Sequence, residues 1–335
     1  MLIDGDEVWR RVEGRAEVRR TRVRGRNPAL VAVRAAHRAV EVRVPGLAAE
    51  IAYYLLVSLL PLVTMLGASL GLLRGFLGQQ AVDRMEERIT GAVEAALSPQ
   101  LAGDVAVPFV EQLLREEQVG VALTSVAVAL WLGSRVFRAA VRTLGDAYRV
   151  QERRGFLRLW ALSLVFTLVA VVVTTAFLAL AVVGPLLGGG QEIADALGAG
   201  SAFRSAWALV RWPVLAVAVT AFLAWLYQVG QNADTRWRDA LPGAALATLG
   251  LVVLALGFRL YVDVAGPSTP DVEGGDAAVR AVGQFLGTAL AAALLGWLAA
   301  VVVLLGGVFN AEWHAEHHAE QDVEQDAEND AERRA

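Results

Sequence analysis

An all-α, polytopic integral membrane protein with six transmembrane helices is predicted by three observations. The first is a series of six long apolar runs, at 47–73, 119–133, 156–187, 206–229, 240–258 and 281–311. A helix rises ~1.5 Å per residue and needs about 20 apolar residues to cross ~30 Å of hydrocarbon. Five of the runs reach that length or fall within a residue of it; 119–133 is the short one. The second is composition. Hydrophobic residues make up 56% of the chain and charged residues 19%, with a mean hydropathy of +0.48. A soluble domain of that balance would expose large apolar patches. The third is the sidedness of the arginines. All 30 basic residues are arginine, and 22 of them lie in 1–46, 135–158, the connection at Arg236 and Arg238, and the tail at Arg333 and Arg334. The positive-inside rule then places both termini in the cytoplasm. Nine acids between Glu312 and Glu332 do not oppose this, because acids contribute little to orientation.

The elements follow in order. Residues 1–28 are an Arg-rich cytoplasmic tail, expected to be disordered. Residues 29–46 read as an amphipathic helix in the membrane interface. Arg34, Arg38 and Glu41 share one face there, valines and Leu30 fill the rest, and Pro45-Gly46 ends the helix. The membrane domain is 47–311, with Pro61 expected to kink its first helix by removing a donor and crowding the carbonyl of Val57. Within it, 76–118 is expected to form two short helices capping the outer face, broken at Ser98-Pro99, and 263–280 a flexible acidic turn. Pro185 and Pro213 are expected to distort helices three and four near their outer ends. Residues 312–335 form an acidic cytoplasmic tail.

Several classes of chemistry are excluded or disfavoured. The absence of cysteine removes disulfides, thiolate catalysis and cysteine-ligated metals. No P-loop pattern is present, so direct ATP hydrolysis is not expected, and no cofactor is expected. The N-terminus does not read as a secretory signal, because its first apolar run starts at Leu47 and is too long. Nucleic-acid binding is not expected, since the basic N-terminal tail has only Trp9 as an aromatic stacking partner.

Three stretches together resemble the YihY/BrkB family of bacterial inner-membrane proteins. The first runs Ala48-Ala49-Glu50-Ile51-Ala52-Tyr53-Tyr54-Leu55-Leu56-Val57-Ser58-Leu59-Leu60-Pro61. The second is Arg149-Val150-Gln151-Glu152-Arg153-Arg154-Gly155-Phe156, and the third Arg236-Trp237-Arg238-Asp239-Ala240-Leu241-Pro242-Gly243. The stretch from Gly306 to Glu312, with Asn310-Ala311-Glu312, is similar to the family's closing motif. The chain departs from the pattern at Val308, where an acid is common, and around Gly283-Gln284. The resemblance covers about 30–312 and implies a six-helix, multi-pass protein of the bacterial inner (plasma) membrane. It implies no settled activity. Some members carried a ribonuclease BN label widely considered mistaken, and others are linked to serum resistance or to export of lipid precursors.

Read from the residues, RNA hydrolysis is disfavoured. It needs a metal-activated water or an acid–base pair in a pocket. His314, His317 and His318 are the weak metal candidates, in a tail that otherwise reads as solvated; no metal site and no enzymatic activity are expected. Glu50, Tyr54 and Ser58 recur every fourth position beside Tyr53 and Pro61, a polar stripe that must face protein or water. These five are the candidate substrate path. Arg135, Arg138, Arg153, Arg154 and Arg238 are candidate clamps for phosphate headgroups at the cytoplasmic mouth. Asp239 is expected to cap helix five, with Pro242 in its first turn. Gly67, Gly71 and Gly75, like Gly283 and Gly287, are spaced for close helix packing. Trp160, Trp207, Trp225, Trp237 and Trp313 read as an aromatic belt. The function this favours is binding or translocation of a lipid or other amphipathic substrate. The alternative is a non-transporting scaffold acting through its charged tails, with a protein partner or a second copy of the chain.

Overall fold

The computed structural model describes residues 9, 12–14, 27–58, 61, 119–150, 153–178, 200–231, 237–265 and 277–334. Among them there is helix and turn but no strand. The principal helices are α1 (Pro28–Glu41), α2 (Val44–Ser58), α3 (Val119–Ala147), α4 (Phe156–Leu178), α5 (Gly200–Gly230), α6 (Trp237–Ala265) and α7 (Ala277–Arg334). They divide into two compact units. The first comprises Met1–Ala49, Phe137–Ala255 and Leu298–Ala335, and the second Glu50–Val136 and Leu256–Trp297. The region 76–118 lies outside the described residues, as do Gly67, Gly71, Gly75, Pro185 and the residues on either side of Pro61. Pro61 itself is helical and half-buried.

Five helices are long and apolar enough to cross a membrane. Their candidate spans are Leu123–Ala147, Phe156–Phe177, Leu209–Gly230, Trp237–Tyr261 and Ala289–Glu316. Large apolar side chains such as Leu157, Val172, Leu209, Val217 and Leu249 stay exposed on them. Hydrocarbon, not water, is the environment in which such surfaces are stable.

The second span corrects the sequence reading. The apolar run stops at Gly133, but α3 continues unbroken to Ala147, so Arg135 and Arg138 lie inside the helix and not after it. Ala139, Ala140, Val141 and Leu144 are buried between the arginines, which is the periodicity that carries the helix onward. The arginines leave this span the least apolar, with mean hydropathy 1.2 against 1.9–2.5 for the other four. The last helix also extends past its expected end. α7 runs for 58 residues and takes in the acidic segment up to Arg334.

At the other end of the chain, α1 starts where Asn27 accepts hydrogen bonds from the N–H groups of Ala29 (3.1 Å) and Leu30 (3.3 Å). Its buried face is Leu30, Val31, Ala35 and Ala39. The break falls at Val42-Arg43, before Pro45-Gly46, with Arg43 at φ 57°. Proline lacks an N–H that a first turn would leave unused, so Pro45 opens α2 instead of closing α1. Within the N-terminal tail expected to be disordered, Trp9 is helical and stacks on His37, ring centroids 4.9 Å apart.

The core of the first unit lies where α3, α4, α5 and α6 meet. Phe166 is fully buried there, with Trp225 edge-on at 4.5 Å and Phe137 at 5.8 Å. Trp225 is half-buried and packs against this core, whereas Trp313 is buried and stacked on Phe309, away from the aromatic belt expected of it. Buried hydroxyls return to their own helices, as Thr143 does to the Ala139 carbonyl (2.9 Å) and Thr167 to that of Ser163 (2.8 Å). Thr248 bonds back to Ala244 and also receives the Thr220 hydroxyl across the α5–α6 interface at 2.9 Å. In an apolar medium every such donor needs a partner within the protein.

α6 and α7 approach backbone to backbone. A Cβ placed on Gly243 would lie 2.1 Å from the Gly306 carbonyl oxygen, and one on Gly306 would meet Ala247 at 2.7 Å. A Cβ on Gly287, where close packing is also expected, meets nothing within 4 Å among the described residues.

Candidate functional site

Two polar constellations stand out, one in each unit. In the second unit α2 carries the expected stripe. Glu50, Tyr54 and Ser58 are half-buried, and Tyr53 is exposed with its ring 5.5 Å from that of Tyr54. Ser58 donates to the Leu55 carbonyl on its own helix at 2.8 Å. Tyr54 reaches outward. Its hydroxyl accepts a hydrogen bond from Nη1 of Arg135 at 3.1 Å. The Arg135 guanidinium also lies 4.4 Å from the Trp131 ring centroid and 5.6 Å from that of Tyr54. A cation over two aromatic faces is stabilised by their quadrupoles. Nε of Arg135 is buried and has no hydrogen-bond partner among the described residues. A residue of the expected path and a residue of the expected headgroup clamp therefore meet, in the middle of the span Leu123–Ala147.

In the first unit the three remaining motif stretches converge. Asn310 is fully buried; its Oδ1 accepts from the Gly243 N–H and its Nδ2 donates to the Ala240 carbonyl, both at 2.7 Å. The Tyr227 hydroxyl donates to the Val303 carbonyl. Arg149 lies 3.9 Å from the carboxylate of Glu312. Arg154 donates to the carbonyls of Val229 (2.7 Å) and Gly230 (3.5 Å), so it closes the C-terminus of α5, where a cation complements the helix dipole. Asp239 sits in the first turn of α6, two residues inside the helix, and not at its cap. Together with burial, its charge raises the pKa of the Tyr148 phenol above the ordinary tyrosine value, burial being the larger cause.

Beside this convergence lies a cleft of about 630 Å³ lined by Arg38, Arg142, Arg149, Asp146, Gln231 and adjoining backbone. Arg38 bridges two elements, bonding Glu41 Oε2 through Nη1 at 2.8 Å and the Asp146 carbonyl through Nη2. Sequence reasoning missed Arg38, Arg142 and Arg149 as one group. The signal available was the spacing of Arg135, Arg138, Arg142 and Arg149 at intervals of three, four and seven, which is helical period beyond the apolar run.

The other candidates lie apart. Arg153 and Arg238 are exposed, and Arg138 is half-buried within α3. His314 is half-buried with its ring 6.4 Å from that of Tyr148, while the side chains of His317 and His318 lie outside the described residues. No group of three or more metal-binding side chains occurs among the described residues.

A family model described as virulence factor BrkB matches residues 35–331. The chain belongs to the BrkB family. This is the family that the motifs at 48–61, 149–156, 236–243 and 306–312 resemble, and in the first unit the structure shows the last three of them in contact. The chain is also similar to a protein named "Putative ribonuclease-like protein YfkH" from Bacillus subtilis (strain 168). The two are 28% identical over 264 residues, which cover 78% of this chain and 87% of that one. No solved structure matches. The chain is thus a membrane protein of the BrkB family with several long apolar helices.

Proposed function

We propose that this BrkB protein binds and translocates a lipid or other amphipathic substrate, with Tyr54 and Arg135 in the polar path. The observation that carries the reading is the position of Arg135. An arginine at the centre of a span costs roughly 2.5–3.5 kcal/mol on insertion scales and is a functional-site hypothesis by default. Here it lies mid-helix in a span of 25 residues, bonded to Tyr54 and, among the described residues, with a buried donor left over. An amphipathic substrate keeps its tails in hydrocarbon while an anionic headgroup slides past such a donor, so one fixed cation suffices where an ion pump needs a relay. Glu50 and Ser58 extend the polar stripe along α2, and Arg138 lies one turn further along α3.

The topology that fits is six spans with both termini cytoplasmic in a bacterial inner membrane, α2 and the residues following it forming the first span. The arginine distribution supports that orientation. Membrane lipids are then the immediate partners, with a homo-oligomer or an unidentified protein as further ones. Residues 28–41 fit a helix at the cytoplasmic surface.

The test is translocation of a headgroup-labelled lipid in proteoliposomes. Wild type is expected to speed loss of the protected inner-leaflet signal over empty vesicles. Arg135→Gln and Tyr54→Phe are expected to slow it, and Glu50→Ala to slow it less. Wild-type traces that coincide with those of empty vesicles would end the uncoupled-translocation reading. The scaffold reading would then take its place, favoured by the continuous 58-residue α7 that carries the acidic segment on from the membrane span. Removal of that segment would have to abolish complementation of a null strain while Arg135→Gln preserved it.

A further inference from the structure

From the cleft in the first unit we infer a second site, which binds a phosphate group through Arg38, Arg142 and Arg149. It is separate from the Tyr54–Arg135 path and does not depend on movement across the bilayer. Three guanidinium groups line one cleft of about 630 Å³, against a single lining carboxylate, Asp146. Gln231, 1% exposed, contributes a buried amide to the same lining. Planar guanidinium forks match the paired oxygens of phosphate, and several together suit a multiply charged anion better than a carboxylate.

The contacts of Arg38 and Arg149 leave part of this capacity open. Arg38 uses Nη1 and Nη2 on Glu41 and on the Asp146 carbonyl, while its Nε is buried without a partner among the described residues. Among the described residues the Arg149 side chain makes a loose ion pair, 3.9 Å to Glu312, and it is 67% exposed. The C-terminal end of α3 accounts for a cation at Arg38, since exposed carbonyls favour one. It does not account for Arg149. That residue holds φ 57° in the turn closing α3, where the Val150 N–H returns to the Gly145 carbonyl at 3.0 Å. Glycine adopts that conformation freely and a side-chain-bearing residue does so at a cost, so the turn alone gives no reason for an arginine.

The backbone supplies the test. Arg149→Gly relieves the left-handed position and removes the ligand group, so fold and binding separate. The full-length protein in detergent is titrated with inorganic phosphate at constant ionic strength, with chloride as reference. In parallel, nanodiscs of phosphatidylcholine are compared with nanodiscs containing phosphatidic acid. Phosphate or phosphatidic acid is expected to raise the unfolding midpoint. Arg149→Gly and Arg142→Gln are expected to weaken that binding roughly ten-fold or more, the loss of one charge-assisted contact. Arg149→Gly should unfold no earlier than wild type without ligand. A response to free phosphate alone identifies a soluble phosphate compound, and a response to phosphatidic acid alone a lipid headgroup; either supports the site. The inference is overturned if phosphate acts like chloride and phosphatidic acid like phosphatidylcholine. It is overturned equally if both variants bind as wild type does.

Discussion

Asn310 on α7 is held to Gly243 on α6 by a hydrogen bond of 2.7 Å from the glycine N–H to the asparagine Oδ1. The same amide returns a hydrogen bond to the Ala240 carbonyl, so one buried side chain fastens two positions of a neighbouring helix. Both bonded groups flank Pro242, which has no N–H of its own to give. Asn310→Leu removes both bonds without removing bulk. It is expected to destabilise the protein by about 1–3 kcal/mol, the cost of leaving buried polar groups unsatisfied. Thermal unfolding in detergent measures it, and an unchanged midpoint would show that the amide makes no net contribution.

The glycines beside it are expected to split into two groups. Gly306→Ala and Gly243→Ala push a methyl into backbone or a fixed neighbour at 2.1–2.8 Å, which relaxes only by separating the helices. A loss of about 1–3 kcal/mol each is expected from overpacking. A Cβ on Gly257 or Gly287 meets nothing within 4 Å among the described residues, so alanine there is expected to be neutral, or to stabilise by up to about 1 kcal/mol through helix propensity. Equal midpoints for all four variants would refute the close α6–α7 contact.

Arg154 tests capping against headgroup binding. Its hydrogen bond to the Val229 carbonyl at 2.7 Å makes it a fastener of the α5 terminus. Arg154→Met is expected to lower stability by about 1.5–3 kcal/mol, the usual worth of a charged hydrogen bond. The translocation rate per folded molecule should stay near that of wild type. A variant with normal stability and lost translocation would return Arg154 to the headgroup clamp.

A pH dependence follows from Arg38 and Glu41. The hydrogen bond from Arg38 holds the Glu41 carboxyl below its ordinary 4.5, with the charges of Arg38, His37 and Arg149 adding to this against burial. A depressed folded-state value means that the pair stabilises the protein above the unfolded value, and that this is lost as pH falls through the folded one. The window therefore lies below about pH 4.5. Glu41 is 47% exposed, so solvent screening keeps the effect to a few tenths of a kcal/mol. Unfolding midpoints of wild type and Glu41→Gln should differ at neutral pH and converge on acidification. Parallel curves down to pH 3 would exclude this pair as their source.

The helical membrane class was legible in the sequence because it depends on local quantities. Apolar run length sets which helices reach across hydrocarbon, and intrahelical hydrogen bonds are satisfied wherever that helix sits. The polar stripe of α2 was legible for the same reason, as helical spacing alone aligns Glu50, Tyr54 and Ser58. What local pattern did not reveal was where helices continue after apolarity fades. α3 crosses Arg135 because Ala139, Val141 and Leu144 are buried by other helices, and that burial is a property of the packed unit. The partnering of side chains far apart in sequence belongs to tertiary structure alone. Tyr54 and Arg135 are 81 positions apart, and Asn310 and Gly243 are 67. Glycine spacing marks helices able to approach closely, but only the packed α6 and α7 decide that Gly243 and Gly306 meet. Composition fixes the solvent a helix can enter, whereas the partner of a buried polar group depends on which neighbour the whole fold brings to it.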